Sequence, residues 1–185
     1  MTPHFTRRRF LETSRNACGA LVLLGRPDYY PKEQVASHTV PDEKIPPEFP
    51  GQNRDAVRAV VGASHGQIDR VKELVTARPA LAKASWDWGF GDWESALGAA
   101  SHTGRRDIAE FLMAKGARPN IFTYTMIGSL QVVESMVNAT PGIQRTPGPH
   151  GITLLQHART RLSRKDLPDS DYERMRKMVR YLESL

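Results

Sequence analysis

"SALGAASHTGRRDIAEFLMAKGARPN", residues 95–120, is the stretch on which the fold turns. Counted from Gly104, apolar side chains recur four, five, eight and nine residues later, at Ile108, Ala109, Leu112 and Met113. Spacing of i, i+4 and i+8 gathers such side chains on one face of a helix. Upstream lies a shorter apolar run, Ala96 to Ala100. Gly104 then stands where a first helix stops and the chain reverses, since glycine tolerates a left-handed backbone. The unit predicts helix, tight turn, helix.

The same grammar recurs on both sides. In "GASHGQIDRVKELV" (62–75) the offsets from Gly66 hold Arg70, Val71, Leu74 and Val75. In "MIGSLQVVESMV" (126–137) the offsets from Gly128 hold Val132, Val133, Met136 and Val137. "GITLLQHA" (151–158) opens a fourth first helix. Its partner is delayed by "SRKDLPDSD" (163–171) and resumes with an apolar stripe at Tyr172, Met175, Met178, Val179 and Leu182.

Residues 95–120 resemble an ankyrin repeat. Ser95-Ala96-Leu97 stands at the family's opening Thr-Pro-Leu, Ala99-Ala100 follows, and Gly104 is the inter-helix glycine. "GARPN" (116–120) stands at Gly-Ala-Asp-Pro-Asn. Gly98 replaces the usual His and Arg118 the usual Asp; losing that His predicts a looser helix start. "GITLLQHA" is similar to G-x-T-P-L-H-x-A, with Leu154 for Pro and Gln156 for His. The resemblance covers 53–185 and implies an all-α, ankyrin-type helix-turn-helix solenoid of about four repeats. Its first and last repeats are irregular because each shields one side of the stack from water. Gly66 and Gly104 lie 38 residues apart, Gly104 and Gly128 only 24, against a family period of about 33. Residues 78–94 are therefore a lengthened connection, whereas "GARPN" runs straight into the next helix.

The long connection leads through "SWDWGFGDWES" (85–95), which holds every tryptophan of the chain. In ankyrin stacks this segment is a projecting finger that, with the first helices, forms the concave binding face. Loops held on a rigid scaffold concentrate function, and tryptophan is enriched at interface hot spots. The expected partner-binding set is Trp86, Asp87, Trp88, Phe90, Asp92 and Arg118. Trp86, Trp88 and Phe90 form the contacting edge, and the charged members supply specificity. Trp93 is expected to pack on Leu81 or Leu97. Trp86 is open between partner contact and covering the first repeat near Val75.

Other chemistry is sparse. His65 and His102 precede the inter-helix glycines and read as repeat-structural residues, while Asp87, Asp92 and Glu94 read as solvated charges. No paired-histidine zinc spacing, G-x-S-x-G elbow or phosphate loop occurs. "GPHGI" (148–152) reads as a turn entering the fourth repeat. Cys18, the single cysteine, permits neither an intrachain disulfide nor a cysteine-based metal site. The expectation is a non-catalytic, monomeric module with no cofactor or metal that binds a protein partner. Two alternatives stand beside it. One is a small-molecule-binding protein or minor enzyme using the tryptophan loop. The other is a guard for a periplasmic or membrane-attached redox protein, a role suggested for exported ankyrin proteins.

The net charge of +6 resides at the two ends, +3 in residues 1–30 and +3 in 156–185, with a neutral middle. A nucleic-acid binder carries its positive charge as a patch on the folded body, so nucleic acid is not the expected partner. Nothing approaches the roughly 20 apolar residues of a membrane-spanning helix. "TRRRFL" (6–11), the apolar "ACGALVLLG" (17–25) and a Pro-rich stretch follow the plan of an export signal. Thr6, Arg7, Arg8, Phe10 and Leu11 resemble the twin-arginine pattern, with Glu12 at the usual Lys. The resemblance implies passage of a folded chain into the periplasm. The alternative is a basic tail that transiently associates with a membrane surface while the chain stays cytoplasmic. The expected organisation is signal 1–25, Pro-rich linker 26–52 and repeat domain 53–185.

Overall fold

A computed structural model of the chain describes residues 52–185. The signal residues Arg7, Arg8, Phe10 and Leu11 and all but the last residue of the linker lie outside the described residues.

Eight α-helices form four consecutive pairs among the described residues: α1 (Arg54–Ala63) with α2 (Ile68–Ala77), α3 (Ala96–His102) with α4 (Arg106–Ala114), α5 (Ile121–Ile127) with α6 (Leu130–Ala139), and α7 (Leu154–Leu162) with α8 (Asp169–Glu183). Each first helix has a side-chain cap, which satisfies N–H groups that lack partners inside the helix. Asn53 accepts from Asp55 and Ala56, Asn120 from Phe122 and Thr123. Thr153 and Gln156 form a reciprocal capping box on α7. The start of α3 is capped as well: Ser95 Oγ accepts the Gly98 N–H at 2.9 Å. The looser start expected from Gly98 is thus corrected, because the serine supplies the tie.

Gly104 (φ 68°) and Gly128 (φ 79°) occupy the left-handed region at their turns. Gly66 does not, contrary to the common role expected of the three glycines. At that turn the chain leaves α1 without a left-handed residue, and the Arg105 guanidinium donates to the Gly66 carbonyl.

The first helices touch in succession, α1 to α3, α3 to α5 and α5 to α7, while α2 contacts α4 and α6 contacts α8. Burial divides into two apolar clusters. Val60, Val71, Val75, Leu81, Leu97, Ile108, Leu112 and Met126 anchor the first; Ile121, Val133, Val137, Leu154, Met175 and Met178 anchor the second. A buried polar seam includes the 3.0 Å bond from Ser101 Oγ to Thr123 Oγ1. The α8 stripe is narrower than expected: Met175 and Met178 are buried, but Tyr172 is exposed with Arg176 over its ring. An end helix has a neighbour on one side only.

Between α2 and α3 the chain makes a 3₁₀ turn at Pro79–Lys83 and then an antiparallel ribbon, β1 (Ser85–Asp87) and β2 (Trp93–Ser95). The register pairs Ser85 with Ser95, Trp86 with Glu94 and Asp87 with Trp93.

Candidate functional site at the base of the finger

Alternation along a strand decides where each finger side chain goes. Trp86 and its partner Glu94 share one face of the ribbon, and Asp87 and Trp93 share the other. Trp86 packs on the first apolar cluster, with the guanidinium groups of Arg54 and Arg58 at 5.3 and 5.9 Å from its ring. Trp93 is 64% exposed. Its expected packing on Leu81 or Leu97 is corrected, because the strand that buries Glu94 turns Trp93 outward.

The ribbon closes through Gly89, Phe90 and Gly91, all at positive φ (124°, 57° and 81°). Asp87 Oδ1 accepts the Gly89 N–H, and the Trp88 N–H donates to the Asp92 carbonyl, fixing this turn. Phe90 stands fully exposed at the apex. Arg118 is exposed too, but it lines a different cleft with Lys83, Ser85 and Ser95.

Beneath the tip lies a cluster that no contiguous motif announces. Glu94 is completely buried, and its Oε2 accepts the Trp88 indole N–H at 2.8 Å. Three imidazoles face this carboxylate through Nε2: His102 at 2.9 Å, His65 at 3.4 Å and His150 at 3.5 Å. His102 Nε2 does not hydrogen-bond Glu94 Oε1 despite that short distance; among the described residues neither atom has a hydrogen-bond partner. His65 and His102 sit at the ends of α1 and α3, Glu94 on β2, and His150 in the turn before α7. One potential ligand atom from each of the four lies within 4.8 Å of the others. Glu94 is therefore not the solvated charge expected, and Asp92, though partly exposed, is tied to His150; nor are His65 and His102 confined to their own turns.

The outer ring nitrogens of His65 and His150 are held. His65 Nδ1 lies 3.2 and 3.1 Å from the carbonyls of Val61 and Gly62. His150 Nδ1 lies 2.7 Å from Asp92 Oδ2, and the His150 N–H donates to Asp92 Oδ1 at 2.9 Å. This double attachment holds His150 at φ 58°, a conformation side chains rarely adopt. The His150 backbone bond, despite some opposing desolvation, lowers the Asp92 carboxyl below its ordinary range. Burial alone would raise Glu94; the adjacent His102 and the Trp88 donor outweigh it and hold the carboxyl low. Burial pushes His157, whose ring lies edge-on to His102, down to about 4.

One signal for this site was present in the sequence. Ala-Ser-His occurs at 63–65 and again at 100–102, one and two residues before the turn glycines of neighbouring helix pairs, and packing brings the rings to 5.0 Å. Glu94 needed the ribbon register, and His150 needed the docking of the fourth pair. No protein-family model, curated protein or solved structure matches this chain.

Proposed function

We propose that the chain is an exported, non-catalytic ankyrin-type module that binds a protein partner through its finger and the adjoining first helices. The observation that carries this reading is the finger apex. Phe90 is fully exposed on a left-handed backbone, and Trp93 beside it is largely exposed. Large aromatics in water on a constrained turn favour contact with another surface, and aromatic anchors dominate binding energy in many interfaces. Four helix pairs whose first helices touch in succession support the ankyrin-type arrangement. Trp88 and Asp92 support the apex from below, Trp86 fastens the ribbon to the first pair, and Arg118 flanks it.

A photo-crosslinking residue at position 90 tests the proposal in periplasmic extract. One dominant protein adduct is expected. Phe90→Ala/Trp93→Ala, tagged and used for affinity capture, should recover that protein about tenfold less well, with helicity unchanged. Equal recovery by this variant, or no protein adduct at all, overturns the proposal.

A further inference from the structure

We propose that His65, Glu94, His102 and His150 bind one divalent transition-metal ion of the zinc class, which fastens the finger to three of the four helix pairs. Proton accounting leads there first. A backbone carbonyl can only accept, so His65 Nδ1 carries the proton; an ionised carboxylate can only accept, so His150 Nδ1 carries one toward Asp92. In the neutral rings, Nε2 is then a lone pair, and both lone pairs face Glu94 Oε2 at 3.4 and 3.5 Å. Acceptors facing a buried carboxylate call for a cation. Among the described residues Glu94 has no lysine or arginine partner, and three imidazolium ions gathered on one carboxylate would repel one another.

The geometry fits an ion as well as the charge does. Ligand bonds of about 2.0–2.1 Å to a tetrahedral centre place ligand atoms about 3.3 Å apart. The Nε2 atoms of His65 and His150 lie 3.4 and 3.5 Å from Glu94 Oε2, close to that value, and His102 Nε2 lies 2.9 Å from the other oxygen, Oε1. Among the described residues Glu94 Oε1 and His102 Nε2 both lack a hydrogen-bond partner, the former buried and the latter's side chain only 10% exposed. Metal-binding imidazoles have the other ring nitrogen held by a carbonyl or carboxylate, as it is for His65 and His150, and such partners orient the ligand. Trp88 donates to Glu94 Oε2 and so fixes the orientation of the carboxylate. Three nitrogens and one oxygen suit zinc, cobalt, nickel or copper and disfavour magnesium and calcium, which prefer all-oxygen shells.

Because the ligands come from the turn after α1, the finger, α3 and the turn before α7, binding contributes directly to folding. The ion holds the base of the finger while leaving Phe90 free. This site stands independently of the proposed partner.

The test uses the full chain, stripped with chelator and titrated with Zn2+ against a chromophoric competitor, with Mg2+ in parallel. One equivalent of Zn2+ should bind and raise the melting midpoint, and Mg2+ should do neither. Co2+ should give the visible absorption of a four-coordinate nitrogen and oxygen site and quench tryptophan emission. His150→Gln, at the exposed edge, should weaken Zn2+ binding on the order of 100-fold, and Asp92→Asn about 10-fold by releasing the His150 ring. His4→Gln/His38→Gln should change nothing, and neither should Phe90→Ala, which separates this site from the partner surface. Failure of Zn2+ to bind one per chain, or binding unchanged by both His150→Gln and Glu94→Gln with helicity intact, overturns the proposal.

Discussion

His157 illustrates how burial sets chemistry at a single residue. Its ring is 1% exposed, donates from Nδ1 to the Thr153 carbonyl at 2.8 Å and packs against Phe122. The folded ring stays neutral down to about 4, whereas in the unfolded chain it takes a proton below about 6.5. Between these values the unfolded state binds more protons. This contribution is therefore complete above about pH 6.5 and is lost as pH falls toward 4, amounting to about 3 kcal/mol. Urea denaturation of chelator-treated protein should show a steeper loss of stability across this window than His157→Gln. Parallel slopes would exclude His157 as the source. From the sequence His157 was only a histidine in a first helix; its environment is created by α5, which brings Phe122 onto the ring.

At the level of elements, turns and the ribbon reveal where periodicity is a sufficient guide. Helical spacing located all four pairs, because side chains on one face must be buried together. Gly104 was legible too, as the residue that lets α3 reverse into α4. A Cβ there would meet Arg161 Cα at 3.2 Å and Arg164 Cδ at 2.9 Å, besides straining a φ of 68°. Gly104→Ala should cost about 2 kcal/mol or more in denaturant unfolding, because α7 approaches as backbone and cannot swing aside. A loss below about 0.5 kcal/mol would mean that the turn relaxes freely. The finger was less legible. Read as a loop, it gave no basis for separating Trp93 from Glu94; the antiparallel ribbon sends these neighbours to opposite faces. Strands of three residues are too short for alternation to stand out against the surrounding charges and glycines.

For the whole molecule, the proposed export and the assembled site belong together, since the twin-arginine route carries folded chains. Arg7→Lys/Arg8→Lys should leave the protein inside the cell, measured by fractionation; unchanged export would remove the twin-arginine assignment. The cluster under the finger joins residues 65, 94, 102 and 150 and so requires the first, second and fourth pairs together. The sequence by itself determined the helix pairs, their order and the lengthened connection, because periodicity and glycine placement act locally. Only the tertiary structure decided that Trp93 faces outward, that Glu94 is buried and that His150 joins the two repeat histidines. Those outcomes depend on strand register and on how α7 docks against α3, and both are set by contacts between residues far apart in the chain.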